Sequence, residues 1–410
     1  RARLIMQVVP IRDATHCTAC TSRATREVET LIVLASHVTR CKPPSTSLDG
    51  CIADLNDIRL LERHAKELRL QPRYAAWLML YREGFERHEE VRVMNATTPS
   101  CLDSSCAAEG ISVWGERAVW AQFPAMETAL TAHPHIRREI AYLQKYYWFH
   151  AGLAVLLASI GSRYPALRYL WRMETDVFFT GSMDQLVSLA ANDPADVLLP
   201  DTYGGNRTIV ARSYYHFGYQ TFLSTVDPAK RVFALVCVGR FSRRFLEKIM
   251  TPKWADGTVG YEEILLPTIC LNTTGCTLAQ FSGWDNVAGN HVRFRVTEAS
   301  PSGMLGPRHW ECQEFLQARR TKGGTLDLWH PVKDRACVLD ALDQEEAESD
   351  NETREIVPSE VESAASLRSL RRRSIAWAER WREKLARERP YVALMKTNEA
   401  RAREQAQASG

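Results

Sequence analysis

With 410 residues, 45% of them hydrophobic and 25% charged, the chain is long enough to bury a large core, either as two or three domains or as one large α/β domain with appendages. A formal net charge of only +3 excludes the one-sided basic field of a nucleic-acid binder. Eleven cysteines are too few for a disulfide-stapled miniprotein, and "CTAC" (Cys17, Cys20) lacks the second CxxC or HxxxH that a zinc site needs.

In chain order, residues 1–29 form an N-terminal segment, after which "TLIVLASH" (30–37) is a strand-like apolar run. A polar loop follows, then "IADLNDIRLLERHAKELRL" with apolar residues at helical spacing, then a second strand in "RYAAWLMLYRE". This β-loop-α-β order builds parallel sheets. A long loop holds "NATTPSCLDSSC", and "HIRREIAYLQKYYWFHAGLAVLLASIG" reads as one or two helices leading into "LRYLWRMETDVFFTG" (167–181). Beyond it come a helix in "SMDQLVSLAAN", a short buried strand in "ADVLLPD", a strand running into a helix across 231–250, a helix in "TVGYEEILLPTICL" and a strand in "CTLAQF". The fold class is α/β, with a mostly parallel central sheet flanked by helices, over residues 30–337.

Composition changes near residue 338. Residues 338–363 are acidic and poor in aromatics, as in a solvated linker, and 364–410 read as a basic helical tail with Trp377 and Trp381 four apart. The apolar run 146–161 is too short to span a bilayer and contains His150, so it is expected to be a core helix. The chain opens on Arg1 without a signal peptide, and any membrane anchor is expected upstream of residue 1. Sequons at Asn95, Asn206, Asn272 and Asn351, with closely spaced pairs such as Cys101/Cys106 and Cys270/Cys276, point to an oxidising, secretory compartment and to local disulfides in those two pairs.

Within 167–181, Tyr169 to Phe179 reads as one strand closed by Gly181. Side chains two apart on a strand share a face, so Glu174 and Asp176 would point the same way. Paired carboxylates suit a hard divalent cation, Mg²⁺ or Mn²⁺.

"YLWRMETDVFFTG" resembles the segment of nucleotide-sugar glycosyltransferases of the GT-A fold in which an acid-x-acid, DXD-like motif ends a central strand. It is most similar to a fungal family of glycosyltransferase-like secretory proteins whose strand reads aromatic-W-x-x-E-x-D-V-x-x-T-G, and more distantly to the yeast-type α-mannosyltransferases. The likeness continues in order through "GRFSRRFLEKI", "GYEEILLPTIC" and "LWHPVKD", over about residues 140 to 335. The resemblance implies transfer of a sugar from a nucleotide-sugar donor to a glycan or glycoprotein acceptor in the Golgi or another secretory lumen, with no nucleic acid as partner.

The resemblance also implies roles. Asp176 would hold the cation, and Glu174 would touch the ribose or a metal-bound water. His330 would complete the metal shell, and its imidazole favours Mn²⁺ over Mg²⁺. Lys333 would bind the diphosphate. Glu263 or Glu262, at a helix start, would serve as general base in an inverting reaction. Ser36 and Arg40 in "LASHVTR", and Asp201 beside Gly204 and Gly205, would line the donor side. Two other classes compete: an inactive secretory binding protein with a transferase-like fold, and a metal-dependent phosphohydrolase, for which no second group of metal-spaced acids is visible near Glu174 and Asp176.

Overall fold

The computed structural model describes residues 6–10, 27–38, 41, 48, 51–68, 71–95, 110–132, 147–200, 226, 232, 234–280, 292–296, 311–320 and 326–352. Arg40, Asp201, Gly204, Gly205, the Cys17/Cys20 and Cys101/Cys106 pairs and the basic tail lie outside them.

In chain order the strands and helices are β1 (Met6–Pro10), β2 (Thr30–His37), β3 (Ile52–Ala53), α1 (Leu55–Leu68), β4 (Tyr74–Tyr81), β5 (Glu89–Asn95) and β6 (Gly110–Trp114). Then follow α2 (Glu116–Gln122), α3 (Pro124–Ala132), α4 (Ala151–Ile160), β7 (Tyr169–Glu174), β8 (Phe178–Phe179), α5 (Met183–Ala190), β9 (Val197–Leu199) and β10 (Val238–Ser242). A π-helical turn, Phe245–Met250, runs into α6 (Thr251–Ala255), and α7 (Glu262–Leu271), β11 (Leu278–Gln280), β12 (Val292–Val296), α8 (Cys312–Arg320), β13 (Leu326–His330) and α9 (Arg335–Glu352) complete the order.

Ten strands form one sheet in the order β11-β9-β10-β7-β2-β4-β6-β5-β1-β3. Its four central strands, β7-β2-β4-β6, run parallel, as expected of β2, β4 and β7; β6, like β5, α2 and α3, lies in the stretch the sequence reads as a long loop, and that reading is corrected. Strands covered on both faces need apolar side chains on both, and β2 and β4 are buried along nearly their whole length. Antiparallel β10 flanks β7, and antiparallel β5 and β1 extend the other side. The segment 1–29 thus supplies a strand, β1, to the sheet.

Helix α1 buries Ile58, Leu61, Ala65 and Leu68, one face at helical spacing. Helix α4 is buried almost all round, the core helix its composition predicts, and its Gly152 lies so close to the Trp114 ring that a Cβ would sit 2.4 Å from it. Among the described residues no helix is long and apolar enough to cross a membrane.

The reading of Tyr169 to Phe179 as one strand is corrected. Strand β7 ends at Glu174, whose N–H donates to the Cys237 carbonyl (2.8 Å), and the Val177 N–H donates back to the Glu174 carbonyl (3.0 Å), closing a turn through Thr175 and Asp176. Phe178 and Phe179 then join a second sheet, β12-β13-β8, opposite Trp329 and Leu328. Apolar composition persists through Phe179, but the partner strand changes from β2 to β13, and composition does not encode partners. The two carboxylates therefore do not share a face of one strand.

Among the described residues three disulfides are formed: Cys270–Cys276 as expected, Cys41–Cys51, and Cys312–Cys337, which joins α8 to α9. Such bonds persist in oxidising compartments. The chain divides into two units, residues 1–344 and 345–410. Helix α9 crosses the composition break at 338 without interruption and buries Val338, Leu339 and Leu342.

Candidate active site

Strand β2 lies between β4 and β7, and the chain order along the sheet reverses there: β4 and β6 follow on one side, β7 on the other. In open α/β sheets a crevice forms outside the carboxyl ends of the strands at such a reversal. Ala35 is paired with Glu174 across it, and Ser36 follows on β2.

The acid turn is met by the segment after β13. His330 ends β13, and its Nε2 lies 3.5 Å from Glu174 Oε2 and 3.5 Å from Asp176 Oδ1. The Val332 N–H donates to the Asp176 carbonyl (2.9 Å), and the Lys333 ammonium contacts Asp176 Oδ2. One ligand atom from each of Glu174, Asp176 and His330 lies within 4.8 Å of the other two. Residues about 155 apart in sequence are thus brought together.

This donor set fits a divalent cation. Asp176 Oδ1 is buried and accepts no hydrogen bond, although it points at the imidazole. A buried carboxylate oxygen without a hydrogen bond calls for positive charge beside it, which the nearby His330 supplies here and a bound cation would supply in its place. Two carboxylates and an imidazole suit Mn²⁺ and, with less imidazole affinity, Mg²⁺.

Positive groups surround the turn. Arg172 is buried, donates from Nη1 to the Val236 carbonyl (2.6 Å), lies 4.9 Å from the Phe149 ring centroid and reaches Glu174 Oε1 with Nη2 at 3.3 Å. Burial pulls the His330 imidazole down, but contact with Cys237 and the Glu174 and Asp176 carboxylates outweigh it and hold its pKa well above the ordinary value.

The two acids at the start of α7 part company. Glu262 is fully buried: its Oε1 accepts the His150 backbone N–H, and its Oε2 faces His150 Nδ1. Glu263 is half-buried, and desolvation followed by the Glu174 and Glu262 carboxylates pushes it up to about 8, with His330 and Arg172 pulling the other way. Glu263 is electrostatically coupled to both Glu174 of the acid turn and His330.

Behind the turn, Arg335 at the start of α9 donates to Thr175 Oγ1 (2.7 Å) and Asp54 Oδ2 (2.7 Å) and contacts Asp57. Ser36 Oγ donates to the other oxygen of Asp57 (2.5 Å), so its hydroxyl is turned into this network. Burial raises the Asp57 pKa against the opposing influence of Arg335 and Ser36. Sequence reasoning missed Arg335, His150 and Cys237. Arg335 stands two residues beyond the "LWHPVK" run, a signal that could have found it; Cys237 lies in an apolar run that gives none.

No protein-family model matches the chain, and neither does any curated protein. Among solved structures the fold is similar to mouse xyloside xylosyltransferase 1 in its apo form, with 9% identity and a TM-score of 0.28, covering 62% of this chain and 84% of that one.

Proposed function

We propose that the chain is a metal-dependent glycosyltransferase that uses a nucleotide-sugar donor and modifies a glycan or glycoprotein in the Golgi or another secretory lumen. The observation that carries this reading is the meeting of Glu174, Asp176 and His330 at the sheet crevice, with Asp176 Oδ1 buried and without a hydrogen bond. Asp176 and His330 would hold Mn²⁺, or Mg²⁺ in its place, and Glu174 would complete the shell or bind the ribose. A divalent ion there supplies Lewis-acid stabilisation of the departing diphosphate. Lys333 would lend a further positive charge to that diphosphate; the donor-side roles expected of Arg40 and Asp201 fall outside the described residues, and the Ser36 hydroxyl is engaged by Asp57 instead.

In an inverting reaction the acceptor oxygen forms a bond to the anomeric carbon while the carbon–diphosphate bond breaks, and the hydroxyl proton passes to a base. Glu263 is the better base, because both Glu262 oxygens are committed to His150. Glu262 then acts as a positioning residue. Among the described residues there is one group of three metal-ligating side chains, which favours this reading over a two-metal phosphohydrolase.

The test is calorimetry with Mn²⁺ and nucleoside diphosphates, alongside turnover of a panel of sugar nucleotides and generic phosphodiesters. Asp176→Ala is expected to abolish the Mn²⁺-dependent part of nucleotide affinity. Unchanged Mn²⁺-dependent affinity in that variant would sink the proposal, and binding without turnover on any donor would favour the inactive binding protein.

A further inference from the structure

All four oxygens of the acid turn lie beside a protein group that carries or can carry positive charge. Glu174 Oε1 is 3.3 Å from Arg172 and Oε2 is 3.5 Å from His330; Asp176 Oδ1 is 3.5 Å from His330 and Oδ2 contacts Lys333. The three partners are not equally free to leave. Arg172 has a side chain only 4% exposed and is anchored by the Val236 carbonyl, while His330 is fixed in β13. Lys333 is 48% exposed, and a lysine ammonium moves on a flexible four-carbon stem.

We propose that Lys333 is the displaceable counterion of this site: it neutralises Asp176 in the free protein and transfers to the diphosphate when cation and nucleotide bind together. This rests on the metal-dependent reading above and adds to it a binding order. A cation arriving alone must share Asp176 with an ammonium or drive that ammonium into water. When a diphosphate arrives as well, the released Lys333 gains an anionic partner. The two ligands therefore favour each other, and by linkage the effect is reciprocal.

The experiment measures free Mn²⁺ by electron paramagnetic resonance in titrations of wild type, Lys333→Met, Lys333→Arg and Asp176→Asn, each alone and with GDP or UDP. Lys333 is half-exposed, and circular dichroism checks that its variants fold. Lys333→Met is expected to bind Mn²⁺ alone about tenfold more tightly than wild type and to lose most of the nucleotide-induced gain; Lys333→Arg keeps the wild-type pattern. Equal affinity for Mn²⁺ alone in wild type and Lys333→Met, with the nucleotide effect intact in both, overturns the counterion role and leaves the metal site standing. Absence of Mn²⁺ binding in every protein, with and without nucleotide, overturns the metal-dependent reading and this inference with it.

Discussion

Glu262 grips His150 at two points, accepting its backbone N–H on Oε1 and facing its ring Nδ1 with Oε2. Burial, with Arg172 beside it and Glu174 opposing, holds the imidazole pKa well below the ordinary value. A neutral ring donates from Nδ1, so the carboxylate receives two hydrogen bonds from one residue. The grip fixes the turn that carries Trp148 and Phe149, and Phe149 in turn lies under Arg172.

Removing that carboxylate leaves two buried donors unsatisfied. Glu262→Ala is expected to cost about 3 kcal/mol of stability in denaturant unfolding. Glu263→Ala should cost much less or stabilise the fold, because desolvation, and then the Glu174 and Glu262 carboxylates, penalise its ionised form and raise it to about 8. Equal losses in the two variants would contradict the division of labour between them.

For turnover the order reverses. Glu263→Gln should lower kcat by about a hundredfold or more while leaving donor affinity within a few-fold of wild type. The sign of the pH dependence follows from the same group: only the ionised carboxylate accepts a proton, and its pKa lies above the ordinary carboxylate range, at about 8. Turnover should rise with pH along a limb placed between the ordinary carboxylate value and about 8, since a bound cation lowers it. A limb near pH 4, or full activity in Glu263→Gln, would exclude Glu263 as the base.

The end of the first unit is open to truncation. Leu342 is buried, and Asp340 and Asp343 pair with Arg59 at 2.9 Å and 2.5 Å. Ending the chain after Glu352 is expected to leave the melting temperature and Mn²⁺-dependent nucleotide binding unchanged. Ending it after Ala341 removes Leu342 and Asp343, and should cost about 2 kcal/mol or more. Identical melting of the two truncated proteins would show that the last turns of α9 add nothing to the first unit.

The Cys312–Cys337 bond spans 25 residues of sequence and fastens α8 to the helix that begins with Arg335. Replacing both cysteines by serine should lower stability by about 2–4 kcal/mol under oxidising conditions. Because Arg335 holds Thr175, next to Asp176, the same change should weaken Mn²⁺-dependent nucleotide binding. Wild-type affinity in a destabilised double variant would confine the bond to a structural role.

Much of this architecture is legible in the residue order. The runs in β2 and β4 read as strands because apolar residues dominate them, with Thr30, Ser36 and His37 only at the ends of β2, and α4 reads as a core helix because its apolar run is too short for a bilayer. Asp176 misleads for the opposite reason: the apolar run continues past it, while the chain changes sheets at Glu174. His330 and Lys333 were legible through the resemblance of "LWHPVKD" and not through any spacing to Asp176, since contacts between distant segments leave no local period. The Cys312–Cys337 pair stayed hidden because its partners are not close in sequence, and the separate fates of Glu262 and Glu263 depend on His150, more than a hundred residues away.

Glu174 belongs to the ten-stranded sheet and His330 to the three-stranded one, with Asp176 on the turn that joins them. The three ligand atoms therefore form a gauge across a seam, and their spacing records how the small sheet is seated on the large one. Anything bound at all three points bolts the seam shut. Strand β12 pairs along β13 up to His330, so a shift of β12 would be felt at the gauge through the strand that carries that histidine.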